Sequence, residues 1–167
     1  MEVDKLRRSD RATSEQDSVA LLRRALVGRI GTVDADGTPY VVPLNFVYEN
    51  QGRRIHLHLA RQPGHLASNL GFSPKVCFEV DEPGPLFPTG EAGCDSNQAY
   101  ESVVCFGRAT TVSDEGERER IARLFFRKYI DEHMPERSYD PELVWLGAVE
   151  FVTVEVGVVT GKRSPTV

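Results

Sequence analysis

Two histidines, His56 and His58, stand one residue apart in the apolar run Ile55–Ala60. In a strand, alternate side chains point to opposite faces, so both imidazoles lie on one face, about 7 Å apart. Such a pair can hold a metal ion, a haem iron or an anionic ligand. The alternative is two half-exposed histidines on the polar face of an ordinary strand. The strand alone favours this alternative, because only Glu79 is a weak candidate for a third metal ligand, and we predict no metal site.

A second cluster of polar residues lies at the start of a predicted short helix and contains Gly64, His65, Ser68 and Asn69. The first turn of a helix presents unpaired backbone N–H groups and the positive end of the helix dipole, and both favour a phosphate. Arg61 and His65 could add side-chain charge. Many short helices begin in this way without binding a ligand, so the cluster by itself is a weak signal.

Composition excludes several classes of function. The net charge of −5 argues against a nucleic-acid binder, whose affinity rests on neutralising phosphates. The sequence contains no phosphate loop, no dinucleotide-binding glycine turn and no nucleophile elbow. Cys77, Cys94 and Cys105 form no Cys-x-x-Cys pair and are expected to be reduced core residues. A polar N-terminus and the lack of a long apolar stretch predict a cytoplasmic protein without a membrane segment.

The hydrophobic period predicts the elements that position these residues. A helix is predicted over 14–27, capped by Thr13 and closed by Gly28 in the left-handed conformation. Three antiparallel strands joined by tight turns follow it, over 29–33, 38–48 and 53–60. Pro43 cannot donate to a ladder of hydrogen bonds, so its position marks an edge, a bulge or a split in the sheet.

The second half of the chain alternates less regularly between helix and strand. Its predicted elements are a short helix over 65–70, a strand over 76–80, a long Pro- and Gly-rich loop over 81–98, a strand over 99–112, a helix capped by Ser113 or Asp114, and a strand over 145–160 with a bulge at Gly157. The long loop could cover a binding groove. Because the helices do not alternate with the strands, we predict a mainly β (α+β) fold with an antiparallel barrel or sheet of six strands.

Several segments in a fixed order resemble a known family. They are the run Gly28–Leu44 with its Asp-Gly turn, the strand end His58–Ala60, the stretch Gly64–Val80, and the strand Tyr100–Gly107. Together they are similar to the pyridoxamine 5′-phosphate oxidase-related FMN-binding split barrels, especially the branch that includes nitroimidazole-resistance proteins. The resemblance extends from about Arg7 to Lys162, which is nearly the whole chain.

This resemblance implies a six-stranded antiparallel split β-barrel with two or three flanking helices. It implies one such domain over residues 13–162, between a basic segment at 1–12 and a tail at 163–167. The barrel is expected to form a homodimer with FMN at the subunit interface. The residues it implies for cofactor binding are Val42, Pro43, Leu44 and Asn45 along the ring, His58, Leu59 and Ala60 beside the ribityl chain and phosphate, Gly64, His65 and Asn69 near the phosphate, and Ser102 on a later strand.

The sequence departs from the family at two places. Members often carry lysine or Arg-Lys near the phosphate, where this chain has His65 and Leu66. Another cation must then take that role, and Arg61, Arg108 and Lys162 are the candidates. This difference leaves room for a deazaflavin, for haem, or for a barrel without a cofactor. The chain also lacks the C-terminal substrate-binding segment of true pyridoxamine phosphate oxidases, so vitamin B6 synthesis is not predicted.

The leading hypothesis is an FMN-dependent oxidoreductase that transfers a hydride at flavin N5 to or from an unknown small molecule. His58 is the best candidate for a proton donor or substrate contact, because the ordinary pKa of imidazole lies near neutrality. A structural role for His58 is equally compatible with the sequence. The alternative is a non-catalytic flavin- or haem-binding module that acts as a carrier or sensor. A purely structural dimer with an empty groove is the third hypothesis.

Overall fold

Along most of the strands, buried and exposed side chains alternate. One face of each strand therefore packs into the barrel and the other faces outward. The computed structural model describes residues 6–62, 64–92, 96–137 and 147–164. The strands of this part are β1 (Val27–Val33), β2 (Pro39–Glu49), β3 (Arg54–Ala60), β4 (Lys75–Pro88), β5 (Ser96–Thr111) and β6 (Val149–Arg163).

These strands close into a barrel in the order β1-β2-β3-β6-β5-β4, and every neighbouring pair is antiparallel. The barrel interior is filled by wholly buried side chains, among them Ile30, Phe46, Leu57, Phe78 and Val154. The predicted six-stranded antiparallel barrel is therefore confirmed in the described residues.

One seam of the barrel is open over part of its length. β2 pairs with β1 over residues 39–45 but with β3 only over residues 46–49. β3 beyond Leu57 pairs only with β6. The segments 39–45 and 58–60 thus form two unpaired edges, which we call the split. Pro43 lies on the first of these edges, as its inability to donate a ladder hydrogen bond predicts.

The first helix, α1 (Glu15–Arg24), is shorter than predicted and begins differently. Its cap is Ser14 rather than Thr13, because the Ser14 hydroxyl accepts the Asp17 N–H. Gly28 does not close the helix, since it already lies inside β1. A Cβ at Gly28 would lie 2.1 Å from the tip of the Phe78 ring, so the absence of a side chain there serves close packing.

The predicted loop over 81–98 is wrong. β4 and β5 continue past the barrel as a two-stranded ribbon, paired as far as Pro88 and Ser96, with an irregular register between Pro83 and Leu86. Proline is tolerated here because such a ribbon has outer edges that need no ladder partner. Residues 93–95, with Cys94, lie outside the described part, as does Trp145.

Two further helices pack against the barrel besides α1. α2 (His65–Phe72) lies near β1, and α3 (Glu115–Phe126), capped by Asp114, ends in a π-helical turn over Arg127–Asp131. Ile121 and Phe125 of α3 form a second apolar cluster with Val47 and Phe151 on the outside of the barrel. The predicted bulge at Gly157 is confirmed by the register shift opposite Phe106 and Gly107. None of the helices that the structure describes is long and apolar enough to cross a membrane.

Candidate functional site

A cleft of about 340 Å³ opens beside the split, between the barrel and the end of α3. Its walls are mostly aromatic, and we call it the aromatic cleft. The residues that line it are Asn45, His58, Phe125, Phe126, Tyr129, Ile130 and Met134. Two of them, Asn45 and His58, were singled out by the sequence. The five others come from α3 and the segment after it.

His56 and His58 lie on the outer face of β3, as their spacing predicts, but their surroundings differ. His56 is 0% exposed. Its Nδ1 lies 3.0 Å from the Thr153 hydroxyl and its Nε2 lies 3.1 Å from a Glu49 carboxylate oxygen. Burial lowers the pKa of His56, although Glu49 opposes this shift. His56 is therefore a neutral, internally bonded residue at neutral pH, and it is not open to a ligand.

Glu49 links His56 to the surface through Arg120. Two guanidinium nitrogens of Arg120 donate to the Glu49 carboxylate, both at 3.0 Å. Burial alone raises the pKa of Glu49, but the hydrogen bonds from Arg120 and His56 outweigh it and hold the pKa below its usual value. This network lies at the end of β3 that pairs with β2 on one side and with β6 on the other.

His58 is half-buried at the other end of β3. Its ring meets the ring of Phe125 edge to face, with 5.0 Å between the centroids. Burial lowers the pKa of His58, so its imidazole is neutral at neutral pH. Within the described ranges, no group of three or more His, Cys, Asp or Glu side chains is arranged so that it could hold a metal ion. Glu79, the weak candidate for a third ligand, instead accepts from Arg29 at 3.1 Å across the β1–β4 pair.

Lys128 holds the π-helical turn against the barrel. It is only 7% exposed, and its Nζ donates to the carbonyls of Ala25, at 2.6 Å, and Phe46, at 3.0 Å. The same ammonium lies 4.1 Å from the centre of the Phe46 ring. Burial lowers the pKa of Lys128 to about 8. Sequence reasoning missed this residue; its signal is a lysine among the aromatic residues that end α3.

Tyr129, the next residue, bonds to the same part of the barrel. Its hydroxyl donates to the Leu26 carbonyl at 2.6 Å and accepts the Phe46 N–H at 2.9 Å. Burial raises the pKa of Tyr129, so the phenol stays protonated. We call Lys128 and Tyr129 the clasp, because together they satisfy backbone groups where β1 begins and β2 leaves β3. The clasp fixes one wall of the aromatic cleft.

A second pocket, of about 300 Å³, lies between α2 and the ends of β3, β5 and β6, and we call it the mouth pocket. The residues that line it are Leu59, Ala60, Arg61, Gln62, Ala67, Leu70, Gly71, Ala109, Thr110, Thr111, Glu150 and Val152. Leu59 and Ala60 were predicted to contact the cofactor. Arg61, one of the three candidate cations, also lines an adjoining pocket with Ser113 and Arg118.

The predicted phosphate cluster is divided between two environments. Gly64 precedes α2 and is exposed, and the His65 ring stacks on Tyr40 with 4.6 Å between centroids. The Nε2 of His65 lies 3.9 Å from an Asp34 carboxylate oxygen. Asn69 is buried and donates to the Thr32 hydroxyl at 3.0 Å, which attaches α2 to β1. A phosphate contact by Gly64, His65 or Asn69 stays a prediction.

The structure brings the other predicted residues together only in part. Along the first edge of the split, Val42 and Leu44 pack partly into the core, Pro43 is exposed, and Asn45 donates to the Leu26 carbonyl at 3.2 Å. Ser102 pairs with Asp81 and Lys162 near the ribbon. It lies about 23 Å along β5 from the residues that line the mouth pocket. Within one chain, Ser102 and its neighbour Lys162 are therefore remote from the mouth pocket.

An antiparallel six-stranded barrel with one partly open seam is a split barrel. The family model described as pyridoxamine 5′-phosphate oxidase matches residues 14–163, and the chain belongs to this family. The family resemblance of the sequence is thereby confirmed. A comparison with curated proteins finds no match.

Solved structures show the same fold. A proposed 5-nitroimidazole antibiotic resistance protein from Bacteroides thetaiotaomicron is 26% identical with a TM-score of 0.73, and the match covers 91% of this chain and 86% of that one. The flavocytochrome Anf3 from Azotobacter vinelandii is 20% identical with a TM-score of 0.81, covering 99% and 75%. An FAD-binding protein from Mesorhizobium loti is 23% identical with a TM-score of 0.63, covering 93% and 98%.

Proposed function

We propose that this protein binds FMN at the split and acts as a flavin-dependent oxidoreductase on a small molecule. The observation that carries the proposal is the split itself, flanked by the aromatic cleft and the mouth pocket. The segment 39–45 has no strand partner on the side of the split. Its backbone N–H and C=O groups on that side suit the polar edge of a flavin ring. The family and the flavin-binding proteins among its structural neighbours support the same assignment.

FMN has an uncharged ring and an anionic phosphate. The described residues that line the aromatic cleft include no lysine or arginine, whereas those that line the mouth pocket include Arg61. Arg61 lies at the mouth pocket and donates to the Gly147 carbonyl at 3.0 Å. We assign the phosphate contact to Arg61, because Lys162 lies near the ribbon and Arg108 does not line this pocket. FMN is preferred over a deazaflavin, which remains an alternative cofactor.

A homodimer would complete this site. Val33 and Val41 are exposed on the outer side of the β1–β2 pair, and Val41 is 59% exposed. Exposed apolar side chains of this kind on a sheet face are typical of subunit interfaces. We propose that a second copy covers this face and brings Ser102 toward the cofactor. The molar mass in light scattering should then be twice the 18.6 kDa of the chain; a monomer would contradict the dimer.

Bound FMN would supply hydride transfer at its N5 atom. The chain itself supplies position and one neutral imidazole. Asn45 and His58 lie where the aromatic cleft meets the split, and His58 can contact a substrate or pass a proton to it. A cytoplasmic location is compatible with this function and stays a prediction.

Titration with FMN and with riboflavin, which lacks the phosphate, tests the proposal. Purified protein should show a flavin absorbance spectrum or take up FMN with a shifted spectrum. Arg61→Ala should weaken FMN by about tenfold and leave riboflavin unchanged, because only FMN carries the anion. Arg23→Ala, at an exposed position of α1, is the matched control. A protein that takes up neither flavin would overturn the proposal, and equal losses for both ligands would overturn the assignment of Arg61.

Haem binding without turnover is the second candidate function. The imidazole of His58 in an apolar cleft favours it, since imidazole is a common iron ligand. It ranks second because none of the described residues lining the cleft is cationic and able to pair with the haem propionates. Added haem should give a Soret band that His58→Ala abolishes; a band that persists in the variant would exclude His58 as the ligand.

A further inference from the structure

We infer that the aromatic cleft is the substrate subsite, and that it takes an uncharged planar aromatic compound of one or two rings. The inference rests on the proposed function for the identity of the neighbouring cofactor. It deepens that function by naming the class of molecule that the site admits.

Size and shape of the cleft support a small flat ligand. Its volume of about 340 Å³ lies at the lower end of the range for small-molecule sites. Phe125 and Tyr129 stack on each other at 5.9 Å between centroids with only 16° between their planes, so together they form one aromatic wall of the cleft. An aromatic wall of this kind favours a flat ring, which gains contact area by lying against it.

The lack of charged side chains among the described residues that line the cleft disfavours a charged ligand. Among its described lining residues there is no Asp, Glu, Lys or Arg. His58, half-buried against Phe125, is the imidazole in this set, and burial lowers its pKa, so it adds no charge at neutral pH. A charged ligand would lose its hydration without meeting an opposite charge, at a cost that an uncharged ring avoids.

The clasp makes the cleft a pre-formed site. The π-helical turn over Arg127–Asp131 carries Tyr129 and Ile130 into the wall, and Lys128 bonds this turn to two backbone carbonyls of the barrel. A π-helical turn departs from regular α-helix and occurs often at functional sites. A wall fixed in this way does not have to be ordered when a ligand binds.

The position of the cleft connects it to the cofactor. Asn45 ends the unpaired edge of β2, and His58 begins the unpaired edge of β3. Both also line the cleft. A ring held in the cleft therefore lies next to the edge at which we place the flavin.

Calorimetric titration with indole tests the inference, with indole-3-carboxylate as the charged match. Indole should bind, and the carboxylate should bind at least tenfold more weakly. Met134, which is 42% exposed at the rim of the cleft, tolerates a new side chain. Met134→Lys should weaken indole about tenfold and strengthen the carboxylate. Leu86→Lys, on the exposed ribbon, is the matched control and should change neither.

Met134→Trp provides a second variant, which fills the cleft without adding charge and should abolish indole binding. Circular dichroism confirms that each variant folds. Three results would overturn the inference: indole that does not bind, indole that binds equally well to both lysine variants, or indole that FMN displaces competitively. Failure of the proposed function is a different result, because it shows as absent uptake of FMN while indole still binds.

Discussion

β3 has a closed end and an open end, and a histidine lies at each. At the closed end, His56 is surrounded by β2, β6 and the network of Glu49 and Arg120. At the open end, β2 has left, and His58 faces a cleft instead of a strand. Both residues are histidines on the same face of the same strand. The pairing of the neighbouring strand decides which imidazole is structural and which can meet a ligand.

Replacing each histidine with alanine should separate the two ends most strongly. His56→Ala leaves a cavity and removes the partner of Thr153 and Glu49, so the free energy of unfolding should fall by about 3 kcal/mol. His58→Ala loses only a partly buried ring contact and should cost about 1 kcal/mol or less. Urea denaturation of both variants measures the difference. Equal losses would show that the two ends of β3 are not distinct.

Arg120→Met should be the next largest change. The variant keeps an apolar stem on α3 but removes two hydrogen bonds to the Glu49 carboxylate. Because this carboxylate is only partly solvated, the loss should be about 1.5 kcal/mol. The effect belongs to the closed end, so binding of indole should not change. A variant as stable as the wild type would mean that solvent replaces Arg120 without cost.

Features set by local geometry were more accessible to sequence reasoning than contacts between distant segments. Alternation in Ile55–Ala60 places both histidines on one face, and Pro43 marks the split, because both follow from local geometry. The clasp could not be predicted, since Lys128 finds its carbonyl partners at Ala25 and Phe46. These residues are far away in sequence and come close only when the barrel has closed.

Pairing and packing that the local composition does not show account for two wrong predictions. Proline and glycine in 81–98 indicated a loop, but a long register with β5 keeps this segment extended. Gly28 indicated the end of a helix, whereas the Phe78 ring that requires a glycine there lies on a later strand. Hairpin pairing decided the structure of the first segment, and a side chain distant in sequence decided that of the second.

Because of Lys128, the free energy of unfolding should change with pH in the alkaline range. Its pKa is about 8 in the folded protein against an ordinary 10.5. The unfolded chain therefore binds more protons between these values, and stability rises with pH in this window as the cost of burying the charge disappears. From pH 7 to 9 the wild type should gain about 1 kcal/mol relative to Lys128→Met. Parallel stability curves for the two proteins, measured in urea, would refute the burial of a charged Lys128.

Mild acid should reveal a smaller difference between the two ends. Burial lowers the pKa of His56 and of His58, so the unfolded chain binds protons before the folded one as the pH falls below the ordinary 6.5. Stability should therefore be lost between pH 7 and 5. Arg54 and Arg120 add to the shift of His56, and only Glu49 opposes it. His56→Gln should remove part of this loss, and His58→Gln should remove less, because His58 is less buried. Urea titrations at the two pH values measure both slopes. A larger change in His58→Gln would mean that protonation of His58 at the open end, and not of His56 at the closed end, causes most of the loss of stability.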